Sequence, residues 1–406
     1  MTVRLGDQPW LAASSTCAVM AALQAAGGAD CARFVGGCVR NAVMGQPVGD
    51  IDIATTLKPE DTDRAIRAAG LKAVPTGIAH GTVTAVAERT PFEITTLRRD
   101  VSTDGRNATV AFTDDWAEDA ARRDFRLNAL YADAEGRVYD PTGEGLTDAT
   151  AGRIVFVGDP ATRIMEDYLR ILRFFRFRAW YGQGEPDAAA LAACEALAPG
   201  MTRLSAERVS KELMRLLEAP RPGRAMVAMH ETGVLTRSLP EANMSPVFAA
   251  MVEQTPDPVL RLMALLPADE RRVRDAATRL RFPNSIRDRL ALAARAAPAI
   301  SLSMTDANVR ATVYRLSART VIDGLRLRGA EAPDRVVDAE RLMNLVRAWP
   351  VPSMPVGGKD LARLGVQAGP ETGRLLKAFE DGWVADDFPS EGHAARLGAL
   401  VNPPLG

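Results

Sequence analysis

Two stretches, Thr82–Glu88 (TVTAVAE) and Phe92–Leu97 (FEITTL), alternate apolar with polar positions. That period of two predicts strands with one buried face. Asp50–Ala54 (DIDIA) keeps the same rhythm, with Ile51 and Ile53 set against Asp50 and Asp52, and Arg33–Val35 is a fourth short strand candidate. Helical spacing separates these runs. Residues 1–33 read as a helix on Trp10, Leu11, Val19, Met20 and Leu23, ended by Gly27-Gly28. Val39–Met44 forms another, broken by Gly45-Gln46-Pro47, and Pro59 opens a third that reaches Ala69. Arg98–Asp115 is polar, carries Gly105 and Asn107, and reads as a mobile loop.

Past Gly152 the strand rhythm stops. From Ile164 to Gly406 apolar positions recur with helical spacing almost throughout, interrupted at Pro199-Gly200, Pro220–Gly223, Pro283-Asn284 and Pro350–Pro355. The strongest helix spans Glu166–Arg178, where Tyr168, Ile171, Leu172 and Phe175 form a core-facing stripe. The pattern predicts an α+β fold: a mixed domain over residues 1–150, a helical segment over 151–220 and a helical remainder over 221–406.

Composition narrows the class. The chain of 406 residues is 47% hydrophobic and 25% charged, ordinary values for a globular protein of more than one domain. Its net charge of −1 excludes general attraction to polyanions, so a nucleic-acid surface must come from local arginine clusters. Arg271, Arg272, Arg274, Arg279 and Arg281 form one such cluster, beside Asp269, Glu270 and Asp275. Cys17, Cys31, Cys38 and Cys194 lack CxxC spacing and predict reduced thiols rather than a zinc site. No charged-then-apolar leader and no apolar run of about 18 residues is present, which predicts a cytoplasmic protein that does not span a membrane.

The chemistry concentrates in Phe34–Thr55 (FVGGCVRNAVMGQPVGDIDIAT). Residues two apart on a strand share a face, so Asp50 and Asp52 converge, an arrangement that a divalent cation stabilises. Gly36-Gly37 before a helix-prone run allows close approach of a phosphate to helix N-terminal N–H groups. Glu93, on a candidate neighbouring strand, is a candidate third carboxylate, equally readable as an exposed edge acid. A second stretch, Arg122–Leu130 (RRDFRLNAL), combines arginines, an acid and an asparagine with Phe125, Leu127 and Leu130. In the third, Asp167, Arg170, Arg173 and Arg176 recur every three residues. A carboxylate acceptor beside guanidinium donors is the equipment needed to read the edge of a base. Taken alone, the same arginines also read as a snorkelling helix face.

In this order and spacing the three stretches resemble class II CCA-adding tRNA nucleotidyltransferases and bacterial poly(A) polymerases, of the polymerase β-type nucleotidyltransferase superfamily. The similarity extends through Leu204–Pro220, Leu280–Asn284 and Pro355–Leu376. It implies a mixed nucleotidyltransferase head followed by an all-helical neck, body and tail. Asp50 and Asp52 would bind Mg²⁺, Gly37 and Arg40 would contact the phosphates and sugar, and Arg123 would hold the incoming nucleotide. Asp167 and Arg170 would read the base of CTP or ATP, with Arg173 and Arg176 close by. The implied partners are tRNA, CTP and ATP, with neither DNA nor membrane. Asn41 stands where the family usually has an acid. A poly(A) polymerase, an A-adding enzyme and a non-catalytic RNA-binding relative remain the alternatives.

Overall fold

The computed structural model describes residues 3–77, 81–104 and 107–402. The chain forms two compact units, Met1–Pro240 and Glu241–Gly406. The first begins with α1 (Ser14–Gly27), β1 (Ala32–Val35), α2 (Gly37–Val43), β2 (Ile51–Thr55) and α3 (Pro59–Ala68). Strands β3 (Lys72–Gly77), β4 (Thr82–Ala87) and β5 (Thr90–Thr96) follow, then β6 (Arg98–Asp104), β7 (Asn107–Phe112), α4 (Trp116–Ala121), β8 (Tyr131–Ala132) and β9 (Val138–Tyr139). Seven of these strands form one sheet in the order β3-β4-β5-β2-β1-β8-β9. Its neighbours pair antiparallel except β2 and β5, which run parallel with Asp52 opposite Glu93. Phe34, Ile53, Phe92 and Ile94 are fully or almost fully buried. The alternation of the sheet turns Asp52 and Glu93 away from that core.

Three elements differ from the sequence reading. The first helix begins at Ser14, because Pro9-Trp10 forms a turn, and the Trp10 ring meets Phe34 edge-on at 5.0 Å. Arg98–Asp104 and Asn107–Phe112 are paired strands rather than a loop: β6 and β7 run antiparallel from Arg98↔Phe112 to Asp104↔Asn107. Their Val and Thr residues favour strands despite the surrounding charge; Gly105 lies outside the described residues. The helix expected over Glu166–Arg178 is divided in two at Asp167.

The remaining helices of this unit are α5 (Gly145–Ala151), α6 (Pro160–Glu166), α7 (Leu169–Tyr181), α8 (Ala188–Leu197), α9 (Ala206–Glu218), α10 (Pro222–Glu231) and α11 (Val234–Ser238). Asp159 caps α6 by accepting from Thr162 N, with Pro160 in the first turn. Asp167 then adopts extended backbone (φ −153°, ψ 106°) and its carboxylate accepts from Leu169 N at 3.1 Å, starting α7. The Tyr168 ring occupies the space over Gly200, where a Cβ would approach it to 1.8 Å. Phe125, Phe156, Phe174 and Phe177 form a buried aromatic cluster, with ring centroids 4.9 to 5.9 Å apart between neighbours. It fixes the turn after α4 against α7.

The second unit is helical among its described residues. One core gathers Val309, Val313, Val321, Leu325, Leu342 and Val346; another gathers Leu361, Leu375, Phe379, Trp383 and Leu397.

Candidate active site

The carboxylate edge lies at the entry to β2. Asp50 is exposed immediately before the strand, Asp52 is half-buried within it, and Glu93 stands across the parallel pair. Burial pushes Asp52 up to about 6, reinforced by the charges of Glu93 and Asp50 and opposed by Arg123 and Arg40. Three carboxylates sharing one edge at this cost fit a hard divalent cation, which takes oxygen ligands. Among the described residues no three such ligands are gathered tightly enough to hold an ion alone. Beneath β2, Cys38 Sγ donates to Val35 O and Asp52 O, and burial pushes its thiol up to about 11.

The glycine turn faces the same edge. Gly36 has φ 70° and ψ −120°, a conformation open to glycine, and caps α2, which starts at Gly37. A Cβ on Gly36 would lie 3.7 Å from Arg123 Nη1, so that guanidinium reaches the turn. Arg123 is held by Asp119 (Nη2–Oδ2 2.9 Å) and by Tyr131 (Nε–OH 3.1 Å). Asp119 itself settles at about 2: burial would raise it, but Arg123 and Arg122 outweigh burial.

Arg40 is buried, and its donors are engaged within the protein. Nη1 donates to Asn128 Oδ1 at 2.6 Å, Nε and Nη2 to Asn41 Oδ1, and Nη2 also to Tyr181 OH, whose ring stacks 4.1 Å from the guanidinium. Asn41 therefore uses its amide in two directions, since Nδ2 donates to Pro47 O at 2.7 Å and ties down the loop that leads to Asp50. Asn128 passes the network to Asp124 (3.0 Å), which pairs with Arg173 (Nε–Oδ2 2.9 Å). Asp124 is held well below the usual carboxylate range: burial opposes ionisation, but Arg173, Asn128 and the Phe125 N–H prevail. Arg176 pairs with Glu212 at 2.5 Å. Arg173 and Arg176 thus lie in ion pairs that join α7 to its neighbours.

Asp167 and Arg170 lie at the start of α7. Both Asp167 oxygens accept from Arg208 on α9, at 3.1 and 2.6 Å. Arg170 pairs with Glu166 and donates to Arg163 O at 2.6 Å. The structure gathers Asp50, Asp52, Glu93, Gly37 and Arg123 about one edge, and links Arg40 to Arg173 through hydrogen bonds. The sequence reading gave no role to Asp119, Asn128, Arg163, Glu166, Arg208 or Glu212. The signal for the first two was the general need of buried arginines for acceptors; for Arg163 and Glu166 it was their i, i+3 spacing, with Arg170 four residues further on, whereas Arg208 and Glu212 pair from a separate helix, which spacing cannot report.

A glycine turn beside a carboxylate edge on a mixed sheet, next to arginine-bearing helices, defines the class as a nucleotidyltransferase. Comparison with known proteins agrees. Residues 32–155 match the poly A polymerase head domain, and 185–245 match a probable RNA and SrmB-binding site of polymerase A. CCA tRNA nucleotidyltransferase 1, mitochondrial, of Danio rerio is 32% identical over 86% of this chain and 83% of its own length. A CCA-adding enzyme of Limosilactobacillus fermentum is 30% identical over 88% of this chain and 90% of its own. The crystal structure of the Bacillus stearothermophilus CCA-adding enzyme in complex with CTP superposes with a TM-score of 0.73 at 25% identity, covering 95% of this chain and 97% of that one. The chain belongs to the CCA-adding tRNA nucleotidyltransferase family, in which dependence on a divalent metal is general. No helix among the described residues is long and apolar enough to cross a membrane.

Proposed function

We propose that this protein adds C, C and A to the 3′ end of tRNA from CTP and ATP, releasing pyrophosphate, with no nucleic-acid template. The observation that carries this reading is the Asp52–Glu93 register beside Gly36-Gly37, a glycine turn next to an edge with three carboxylates. Asp50 and Asp52 would hold Mg²⁺, with Glu93 as the third carboxylate; the bound ion would acidify the attacking hydroxyl and offset charge on the phosphates. Arg123 reaches the turn from a fixed position and supplies charge to the triphosphate without reorganising. Gly37, the first residue of α2, would offer its N–H to the phosphates. Asp167 accepts from an exocyclic amine while Arg170 donates to ring acceptors, which selects cytosine and adenine. Arg40, Arg173 and Arg176 are engaged inside the protein, as Asp167 and Arg170 also are, and would add contacts to the nucleotide from positions that those partners fix.

We assign the head to 1–150, the neck to 151–220 and the tRNA-binding body and tail to 221–406, and place the protein in the cytoplasm. The experiment is incorporation of labelled CTP and ATP, separately and together, into tRNA ending before CCA. Incorporation of two C and then one A is expected. ATP uptake alone would replace this reading by an A-adding enzyme or poly(A) polymerase, and no uptake with tRNA bound would leave a binding protein.

A further inference from the structure

Arg163 occupies a place that none of the sequence motifs marks. It lies on α6 and is nine-tenths buried. Its Nη2 donates to two backbone carbonyls of the phosphate-side motif, Arg122 O and Arg123 O, the latter at 2.8 Å. Its Nη1 pairs with Glu166, and the same Glu166 oxygen pairs with Arg170. The Arg163 carbonyl, in turn, accepts from Arg170 Nη1 at 2.6 Å. One residue therefore touches both the backbone that carries Arg123 and the two groups that hold Arg170.

We infer that Arg163 is a positioning residue that sets the base-reading guanidinium of Arg170 in register with the triphosphate-side guanidinium of Arg123. This rests on the nucleotide-adding reading above. A guanidinium discriminates bases only while its donors are fixed; a loosened one accommodates other edges. The planar fork of Arg163 supplies N–H groups in two directions at once, to the carbonyls and to Glu166. A lysine ammonium carries its three donors on one nitrogen and cannot reproduce the spread of the fork. Removing the fork should therefore relax base choice, beyond any loss of overall rate.

The test compares kcat/KM for CTP and UTP on tRNA ending before CCA, in the full chain carrying Arg163→Ala or Arg163→Lys. Melting curves show which variants are folded. The CTP-to-UTP ratio is expected to fall at least tenfold in the Ala variant and at least threefold in the Lys variant, with tRNA affinity unchanged. If the Ala variant does not fold, the Lys variant decides. A folded variant with the wild-type ratio overturns the inference, even when its kcat is reduced, because a merely structural residue would lower the rate for both nucleotides alike. The wild-type control separates the two claims. A wild-type protein that adds no nucleotide overturns the activity reading; one that adds C and A beside an unmoved variant ratio overturns only the role of Arg163.

Discussion

Burial and the carboxylates of Glu93 and Asp50 lift Asp52 from 3.8 to about 6, so the carboxylate proposed to bind metal is costly to the folded chain. In the metal-free protein the unfolded carboxyl ionises near 3.8 and the folded one near 6. Between these values the folded state binds more protons, so stability falls as pH rises through the window. Above it the ionised group costs about 3 kcal/mol. Asp52→Asn should therefore stabilise the metal-free protein at neutral pH and flatten its stability between pH 3.8 and 6, while reducing nucleotide transfer by about 10³-fold. Denaturant unfolding at acid and neutral pH checks the first part. A variant no more stable than wild type at neutral pH would refute the account of this edge. The opposite balance holds at Asp119, where Arg123 and Arg122 more than offset burial, so its ionised form stabilises the fold.

At the scale of elements, the turn after α4 is joined to α7 by a buried ion pair and an aromatic cluster. Asp124→Ala leaves Arg173 without its main partner and should cost about 3–5 kcal/mol. Adding Arg173→Met removes the stranded charge, so the double variant should be more stable than Asp124→Ala alone. Urea unfolding of both measures this, and a double variant that is less stable would mean that the pair does not dominate the joint. This joint also marks the limit of sequence reading. The alternation in β2, β4 and β5 was legible, because a period of two matches the pleat of a half-buried strand and no helical face, and Phe92 and Ile94 are buried as that period requires. Asp52 was read on the strand where it lies, whereas Asp50 stands just before β2 and Glu93 was equally readable as an exposed acid. The pairing of β6 and β7 was hidden by their charge, and the break between α6 and α7 by helical spacing on either side of it. What ends α6 is tertiary: Tyr168 packs against Gly200, and Arg208 holds Asp167. Asp124 and Arg173 likewise meet from separate motifs, and only the fold makes them partners.

For the molecule as a whole, 50 basic and 51 acidic side chains leave no net attraction for a polyanion. Binding of tRNA must therefore rest on arginines whose charge is not already answered by a neighbour. Helix Glu270–Arg279 carries both kinds. Arg274 is paired with Glu270 at 2.8 Å and Arg279 with Glu241 at 2.6 Å. Arg271 and Arg272 are exposed and have no ion pair among the described residues. A phosphate contact by a free arginine releases a counterion and steepens the salt dependence, whereas a paired arginine must first give up its carboxylate. Replacing Arg271 and Arg272 together by Ala should weaken tRNA binding and reduce the slope of log K against log salt by about 1 to 2. Arg274→Ala should change that slope far less. Filter binding across a salt series gives both slopes. Equal slopes in all three proteins would remove this helix from the tRNA surface and direct the search to other exposed arginines of the helical remainder.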